Sequence, residues 1–226
     1  MGIPPIRPYP MPTMTGGPAW QPDPHRAVLL IHDMQRYFVD LLPPDDSPRV
    51  ELLANIGRIR RAATDAGIPV VYTAQPGRLA RAQRGLLYDF WGAGMSTDER
   101  VREIVPELAP GPADVVVEKS RYSAFHDTRL AGVLTGLRRD QLVVCGVYAH
   151  IGCLATACDA FSRDIQPFLL ADALADFSAR DHALALEYAS RTCAVVLSTD
   201  GLVTALGTEI PAPAHPLLHH AGQLHP

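Results

Sequence analysis

The sequence predicts an α/β protein with a three-layer, doubly wound fold built around a six-stranded parallel sheet. From Arg26 onwards, short apolar segments rich in branched residues alternate with segments of helical periodicity, which is the pattern of strands joined by helical crossovers. The first segment, AVLLI at residues 27–31, is apolar at every position, as expected of a strand covered on both faces. A length of 226 residues with 47% hydrophobic residues suits one such domain with appendages.

Six segments are predicted as strands because each is a short apolar run bounded by polar or turn residues. Because helical segments separate them, the strands are expected to run parallel. They lie at residues 27–33, 68–74, 114–119, 141–147, 166–172 and 193–199.

Five helices are predicted from apolar stripes and helix-start signals. Ser96 and Glu99 have capping-box spacing at the start of the second, and Ser178 with Asp181 caps the fifth. The apolar stripes are Leu52, Ile56, Ile59 and Ala63 on the first helix and Leu154, Cys158 and Phe161 on the fourth. The predicted helices lie at residues 49–66, 98–108, 127–137, 152–163 and 178–191.

The chain divides into an arm, a domain and a tail. Residues 1–25 form a proline-rich arm that cannot be helical. The arm is either a disordered tail or a strap on the domain or on a partner subunit. Residues 26–208 carry the alternating pattern. Residues 209–226 contain prolines and four histidines without apolar periodicity, which predicts a disordered tail, and the irregular histidine spacing disfavours metal binding there.

Composition argues against several classes of function. The net charge is −4 and no run of Lys and Arg stands out, so no nucleic-acid partner is expected. The longest apolar runs are too short to cross a bilayer, and the N-terminus lacks a signal-peptide pattern, so no membrane partner is expected. The four cysteines have no metal-ligand spacing, which predicts reduced thiols in a cytoplasmic protein. No glycine-rich nucleotide-binding motif is present.

Polar side chains stand at the ends of four predicted strands. Asp33 ends the first strand, Thr73 and Gln75 the second, Lys119 the third and Tyr148 follows the fourth. Any one of these side chains, taken alone, would more often have a structural role than a role in ligand binding. Because the carboxyl ends of parallel strands share one edge of the sheet, these side chains can converge on one pocket, which is where doubly wound folds bind ligands.

A thiol follows the same edge. The stretch GVYAHIGCLATACDAF, residues 146–161, places Cys153 at the start of a predicted helix. A thiol in the first turn of a helix can be an activated nucleophile, and a buried cysteine can equally be a small packing residue.

Six motifs in the chain resemble the isochorismatase family: IHDMQRYF, YTAQPG, RGLLYDFWG, RYSAFHDTRL, GVYAHIGC and ADALADFS. The similarity extends from about residue 2 to residue 199. It is strongest to the branch that hydrolyses vinyl ethers, the isochorismatases of siderophore pathways and the aminodeoxyisochorismate hydrolase of phenazine pathways. The resemblance implies a Rossmann-like fold, a homodimer, a small chorismate-derived substrate and no metal or organic cofactor.

The resemblance also implies roles for individual residues. Asp33 matches the family's acid and Lys119 its lysine, although Ser120 stands where the family often has an aromatic residue. The family further suggests a cis peptide before Tyr148. The residues matched to substrate contacts, with Arg84 as an additional candidate for anion binding, are Gln75, Arg84, Trp91, Tyr148 and Gly152.

Cysteine hydrolases of the wider family use an Asp-Lys-Cys triad in which the cysteine lies six residues after the glycine of the GV motif. Counting from Gly146 reaches Gly152, and Cys153 lies one residue further. One residue rotates a side chain by about 100° around a helix. Cys153 is therefore expected to point away from Asp33 and Lys119 and to pack in the helix.

Three functions follow as hypotheses. The first is hydrolysis of the vinyl ether of isochorismate or 2-amino-2-deoxyisochorismate, with Asp33 as general acid. Stretches such as RDQLVVCGVYAH and LEYAS favour the phenazine-type relatives slightly. The second is a cysteine amidohydrolase of the nicotinamidase type. The third is a non-catalytic docking protein for an assembly line. No carrier-type Gly-x-Asp-Ser helix start is present, so the chain is not expected to carry acyl groups itself.

Overall fold

The computed structural model describes residues 3–207. At its centre lies a six-stranded sheet in the order β3-β2-β1-β4-β5-β6, in which every pair of neighbours is parallel. The predicted doubly wound fold is confirmed. The strands are β1 Ala27–His32, β2 Val70–Ala74, β3 Val115–Glu118, β4 Gln141–Val147, β5 Gln166–Ala175 and β6 Val195–Leu197.

Helices cover both faces of the sheet, and several are only one turn long. A 3-10 turn at Pro106–Leu108 and a π-helical turn at Ala149–Cys153 interrupt the regular pattern. The α-helices are α1 Arg36–Val39, α2 Arg49–Asp65, α3 Arg81–Arg84, α4 Leu87–Trp91, α5 Glu99–Arg102, α6 Leu130–Leu137, α7 Leu154–Phe161, α8 Ala179–Thr192 and α9 Thr199–Ala205.

The strand order reverses between β1 and β4, from which the chain winds outward in both directions. Successive β1 side chains enter opposite layers, because side chains alternate along a strand. Leu29 and Ile31 join the apolar core on one face, and Val28 and Leu30 join the core on the other. The crevice beyond the carboxyl ends of β1 and β4 is therefore the expected ligand site.

The helix predicted over residues 98–108 is wrong beyond its first turn. Helix α5 ends at Arg102, and Ile104 instead forms an antiparallel bridge with Gln35. Pro106 explains the break, because proline disfavours the helical conformation of the residue before it. The cap also differs, since it is Asp98 whose side chain accepts a hydrogen bond from the Arg100 amide.

The stripe predicted on the fourth helix is also wrong. Leu154 and Cys158 are only partly buried and Phe161 is 47% exposed. The buried face of α7 consists of Thr156, Ala157 and Ala160. Small residues on this face let the helix lie close to the sheet. The stripe predicted on α2 is confirmed, because all four of its residues are fully buried.

The N-terminal arm lies on the chain's own domain. The Ile6 amide donates a hydrogen bond to the Leu41 carbonyl at 3.2 Å, and the Tyr9 hydroxyl accepts one from the Asp176 amide at 2.7 Å. Further along, Gly16 forms an antiparallel bridge to β6. These contacts are those of a strap rather than of a disordered tail.

The sequence predicts no metal site among the cysteines and a disordered tail at the C-terminus. Within residues 3–207, no three His, Cys, Asp or Glu side chains are grouped as a metal site. Residues 209–226, predicted as a disordered tail, lie outside the described part of the chain.

A helix of bilayer-spanning length and hydrophobicity is absent between residues 3 and 207.

Candidate active site

A cavity opens beyond the carboxyl ends of the strands, at the switch point between β1 and β4. This is the place where doubly wound folds bind their ligands. Charged, polar and aromatic side chains share its wall. The lining residues are Ile3, Asp33, Tyr37, Phe38, Gln75, Arg84, Leu87, Trp91, Lys119, Arg121, Tyr122, Val147, Tyr148, Ile151, Gly152 and Phe177.

Asp33 is the acidic centre of this cavity. It follows β1 with a positive φ of 51°, a conformation that aspartate and asparagine tolerate better than most residues. Its Oδ1 accepts a hydrogen bond from Thr73 Oγ1 at 2.6 Å. Its Oδ2 accepts one from Gln75 Nε2 at 3.1 Å and lies 2.9 Å from Lys119 Nζ. The ends of β1, β2 and β3 thus meet at one carboxylate.

Two opposing effects set the pKa of Asp33. Burial raises it, and the charge of Lys119 with the hydrogen bonds from Thr73 and Lys119 lowers it. The lowering effects prevail and bring the pKa to about 2. The carboxyl is therefore ionised at neutral pH.

Lys119 is held with its ammonium group facing Asp33. Its side chain is 1% exposed, and Nζ also donates a hydrogen bond to the Arg121 carbonyl at 2.9 Å. A lysine ammonium has three protons to donate, so the carboxylate and backbone oxygens fix its position. The pair forms a buried ion pair that faces the cavity.

Arg84 brings a second positive charge to the wall. It is 7% exposed, and its Nε donates a hydrogen bond to the Gly92 carbonyl at 2.8 Å. No carboxylate of residues 3–207 forms an ion pair with it, whereas the neighbouring Arg81 pairs with Asp89. Burial lowers the pKa of Arg84. A buried guanidinium without a counter-ion favours an anionic ligand.

Aromatic rings form the apolar side of the cavity. The Phe177 ring lies 4.6 Å from the Tyr148 ring and 5.8 Å from the Trp91 ring, both edge to face. The Tyr148 hydroxyl donates to the Phe38 carbonyl at 2.8 Å, and Trp91 Nε1 donates to the Tyr122 hydroxyl at 2.7 Å. These bonds fix the rings around a space suited to a flat, partly apolar ligand. The Val147–Tyr148 peptide is cis.

Cys153 is separated from this cavity. It is fully buried in the apolar core with α7, and burial raises the pKa of its thiol well above the ordinary value. Gly152, one residue earlier, lines the cavity. None of the four free cysteines is among the lining residues.

His32 lies directly behind the carboxylate. Its ring is fully buried, and Nδ1 donates to the Val147 carbonyl at 2.8 Å. Burial lowers the pKa of this imidazole to about 4, so the ring is neutral at pH 7.

All seven residues selected from the sequence line this one cavity. The polar strand ends predict Thr73 at this edge of the sheet, whereas nothing in that pattern predicts Gln35. The Gln35 side chain accepts a hydrogen bond from the Gln75 amide at 2.7 Å and donates one to the Gln75 carbonyl at 3.0 Å. Gln35 and His32 both lie within the IHDMQRYF motif, and this motif is the sequence feature from which their place in the site could be predicted. Phe177 likewise lies within the ADALADFS motif.

Comparison with known proteins identifies the family. The isochorismatase domain model matches residues 27–201. The phenazine biosynthesis protein PhzD of Pseudomonas fluorescens is 53% identical over 206 residues, covering 89% of this chain and 99% of that protein. An isochorismatase of Bacillus subtilis (strain 168) is 51% identical over 210 residues, covering 91% of this chain and 67% of that protein.

A solved structure of a cysteine hydrolase from Pseudomonas syringae pv. phaseolicola 1448A has a TM-score of 0.76 at 24% identity, covering 87% of this chain and 99% of that one. At this identity the likeness concerns the fold alone. The domain match includes all six strands and the corner that carries Asp33, Lys119 and Gly152. By fold, site and sequence, the chain belongs to the isochorismatase family.

Proposed function

We propose that this protein hydrolyses the enolpyruvyl vinyl ether of isochorismate, 2-amino-2-deoxyisochorismate or both. The products are pyruvate and a dihydrodiol or a dihydro-hydroxyanthranilate, in phenazine, siderophore or related secondary metabolism. The observation that carries the proposal is a buried Asp33–Lys119 pair in a cavity whose wall includes Arg84. Within residues 3–207, Arg84 has no carboxylate partner and no cysteine lines the cavity. The names of the PhzD and isochorismatase relatives support the same substrate class.

The reaction needs a proton donor. Protonation of the terminal methylene carbon converts the vinyl ether into an oxocarbenium ion, which water captures. The resulting hemiketal then collapses to pyruvate and a ring alcohol. A positioned carboxylic acid supplies this proton without a covalent intermediate, and Asp33 is the carboxyl that faces the cavity.

Asp33 must gain a proton before it can donate one, and its lowered pKa opposes this. The substrate carries two carboxylates. Their negative charge near Asp33 disfavours the aspartate anion and raises the pKa of Asp33 in the complex. Lys119 then stabilises the aspartate that forms on proton transfer. The substrate thus brings the acid into its reactive form.

The remaining wall binds and orients the substrate. Arg84 pairs with a carboxylate, because its charge has no protein partner within residues 3–207. Gln75 lies beside Asp33 and donates to it, which places its amide near the reacting group. Trp91 and Tyr148 contact the ring and the enolpyruvyl group, and Gly152 lines the cavity beside Asp33 and Lys119.

The direct test is pyruvate release. We expect the purified protein to release pyruvate from isochorismate or its 2-amino analogue, measured by coupling to lactate dehydrogenase, and to release no ammonia from nicotinamide. Rates on both chorismate-derived compounds determine which is preferred. Release of ammonia from nicotinamide without pyruvate would establish the amidohydrolase. If neither pyruvate nor ammonia were released, the docking function would be the remaining hypothesis.

Cys153→Ala separates the hydrolase from the cysteine amidohydrolase. We expect vinyl-ether hydrolysis within a few-fold of wild type, because the thiol is buried outside the cavity. The small void costs about 1 kcal/mol of stability. A folded but inactive variant, together with a burst of covalent intermediate in the wild type, would instead identify Cys153 as a nucleophile.

We also propose a cytoplasmic homodimer. Phe90 is 68% exposed and Tyr188 50% exposed, and both belong to an apolar surface beside the cavity with Trp91, Tyr122 and Leu154. Apolar surface of this kind marks interaction sites, and the four free thiols fit a reducing compartment. Light scattering should give twice the monomer mass, and a monomer would contradict the homodimer. Cell fractionation should recover the protein in the cytoplasm, and a secreted protein would contradict the cytoplasmic location.

A further inference from the structure

His32 fills the space that a side chain at position 152 would need. A Cβ built on Gly152 would lie 2.4 Å from His32 Cε1, 3.1 Å from Nε2 and 3.3 Å from Nδ1. Its three nearest neighbours therefore all belong to one imidazole ring. Separations below 3.0 Å do not occur between a real Cβ and its neighbours, so no residue larger than glycine fits while the ring is in place.

The backbone does not itself require glycine here. Gly146 and Gly17 have φ of 113°, whereas Gly152 is not among the residues of positive φ. Its φ lies in the range that every L-amino acid adopts. The nearest obstacle to a side chain at this position is therefore the imidazole ring of His32.

The ring cannot easily move aside. His32 is the last residue of β1, its side chain is fully buried, and Nδ1 donates to the Val147 carbonyl at 2.8 Å. Opposite it, β4 comes so close that a Cβ on Gly146 would lie 2.2 Å from the His32 carbonyl oxygen. A buried ring held by its backbone on one side and by a hydrogen bond on the other behaves as a fixed wall.

The occupied space adjoins the reacting groups. Nδ1 of His32 lies 3.8 Å from Asp33 Oδ2, and Gly152 lines the cavity together with Asp33 and Lys119. A side chain accommodated at position 152 would stand beside the acid and the ammonium group. This is the position from which a nucleophile could attack a bound ligand.

We propose that His32 is a specificity-determining residue that keeps position 152 free of any side chain. It thereby excludes a nucleophilic side chain from position 152, beside the Asp33–Lys119 pair. Residues 32 and 152 form a matched pair, so a nucleophile can be introduced at 152 only when residue 32 becomes smaller. This inference concerns the space at one position and does not depend on the substrate named above.

A double-mutant cycle tests the pairing. Gly152→Ala alone should lower the melting temperature by about 5 °C or more, because it overpacks a filled site. In a His32→Ala background, the same change should cost nothing or raise the melting temperature, because the methyl group enters the vacated space. Additive effects of the two substitutions would overturn the proposal. If His32→Ala does not fold, His32→Asn repeats the cycle with a smaller side chain that can still donate to Val147.

Alkylation tests the chemical consequence. Gly152→Cys is combined with His32→Ala, and iodoacetamide labelling is followed by mass spectrometry of each cysteine peptide. The new thiolate attacks the methylene carbon, the sulfur–carbon bond forms, iodide leaves and the thiol proton passes to solvent. We expect labelling at position 152 to be at least about tenfold faster than at buried Cys153. The partly exposed Cys158 is the internal reference for an intact fold.

The single variant Gly152→Cys is the matched control. Beside an intact His32, it should be strongly destabilised or leave its thiol unlabelled. A single variant with the wild-type melting temperature and a thiol labelled as fast as in the double variant would overturn the proposal. An unlabelled thiol in a folded double variant would also overturn it, because the vacated space would then not reach the cavity.

Discussion

Asp33 combines an exceptional backbone conformation with the proposed chemistry, so the choice of substitution matters. We expect Asp33→Asn to lower kcat by roughly 10²–10⁴-fold, the usual contribution of a general acid. Asparagine tolerates the φ of 51°, and the fold should therefore survive, as circular dichroism and a melting curve can verify. A folded variant with more than about a tenth of wild-type kcat would exclude Asp33 as the acid.

The unpaired charge of Arg84 allows a matched comparison within one helix. Arg84→Gln should raise KM at least about tenfold, because a buried cation that meets a substrate carboxylate is removed. The rise of KM with added salt should also become less steep. The control is Arg81→Gln, also on α3, whose side chain is 71% exposed and paired with Asp89. Equal KM values for the two variants would show that Arg84 has a structural role and does not bind the substrate.

At the scale of the elements, the sequence predicted well where a single local signal was strong. All six strands and helices α2 and α8 follow from apolar runs, stripes and a serine cap. The one-turn helices α3 and α4 could not be predicted, because four or five residues carry no periodicity. The stripe on α7 failed because its buried face is made of small residues, which a search for large apolar side chains overlooks.

The candidate site likewise contains residues that a local sequence signal predicts and residues that it does not. Its charged and polar members stand at strand ends, where topology alone brings them together. Partners such as Gln35 and Phe177 act through tertiary contacts. No property of their sequence neighbourhood fixes the distance to Asp33 or Tyr148. The fit between His32 and Gly152 likewise becomes visible only when the end of β1 and the π-helical turn after β4 are placed together.

Ile3, in the N-terminal arm, lines part of the cavity. We expect deletion of residues 1–5 to raise KM between about three- and tenfold, because the apolar contact of one side chain with the ligand is lost. The fold should persist, since Ile6 and Tyr9 remain buried.

Tyr9→Phe provides the control for the arm. It removes the hydroxyl that contacts Asp176 and His182 but leaves Ile3 in the chain. We expect a loss of about 1 kcal/mol of stability with KM nearly unchanged. If both variants raised KM equally, the arm would affect KM by stabilising the domain and not through contact of Ile3 with the ligand.

For the whole molecule, two buried histidines determine how stability responds to acid. Burial lowers the pKa of His32 and of His182 from the usual 6.5 to about 4. Between these values the unfolded chain binds protons that the folded chain excludes, so stability falls as pH falls from about 6.5 to 4. Asp33 adds a further loss only nearer its own pKa of about 2.

His150 acts in the opposite direction. Its Nδ1 lies 2.6 Å from Asp176 Oδ1, and its pKa is raised, with burial opposing the shift and the Asp176 hydrogen bond and charge producing it. Its contribution is present at low pH and lost as pH rises through that raised pKa. Because two fully buried rings oppose one partly exposed ring, we expect a net decrease in stability as the pH falls.

Urea unfolding at pH 7.0 and pH 4.5, at constant ionic strength, measures this dependence. We expect the free energy of unfolding to be lower at pH 4.5 by about 2 kcal/mol or more. His182→Gln should show a smaller difference between the two pH values, because one of the two titrating rings is gone. A free energy that did not change with pH would show that the two histidines are not held neutral in the folded chain.

The contact between Gly16 and Val196 has a consequence for how the chain avoids self-association. Strand β6 is the last of the sheet, and an uncovered edge strand is a template on which another chain can add. The arm occupies that edge with reciprocal backbone bonds of 3.0 and 2.7 Å. At Gly17 it lies so near that a Cβ would come within 2.6 Å of the Ala194 carbonyl oxygen. Removal of the arm through Gly17 would therefore free an apolar edge for intermolecular strand pairing, and the protein would be lost to aggregation before any effect on catalysis could be seen.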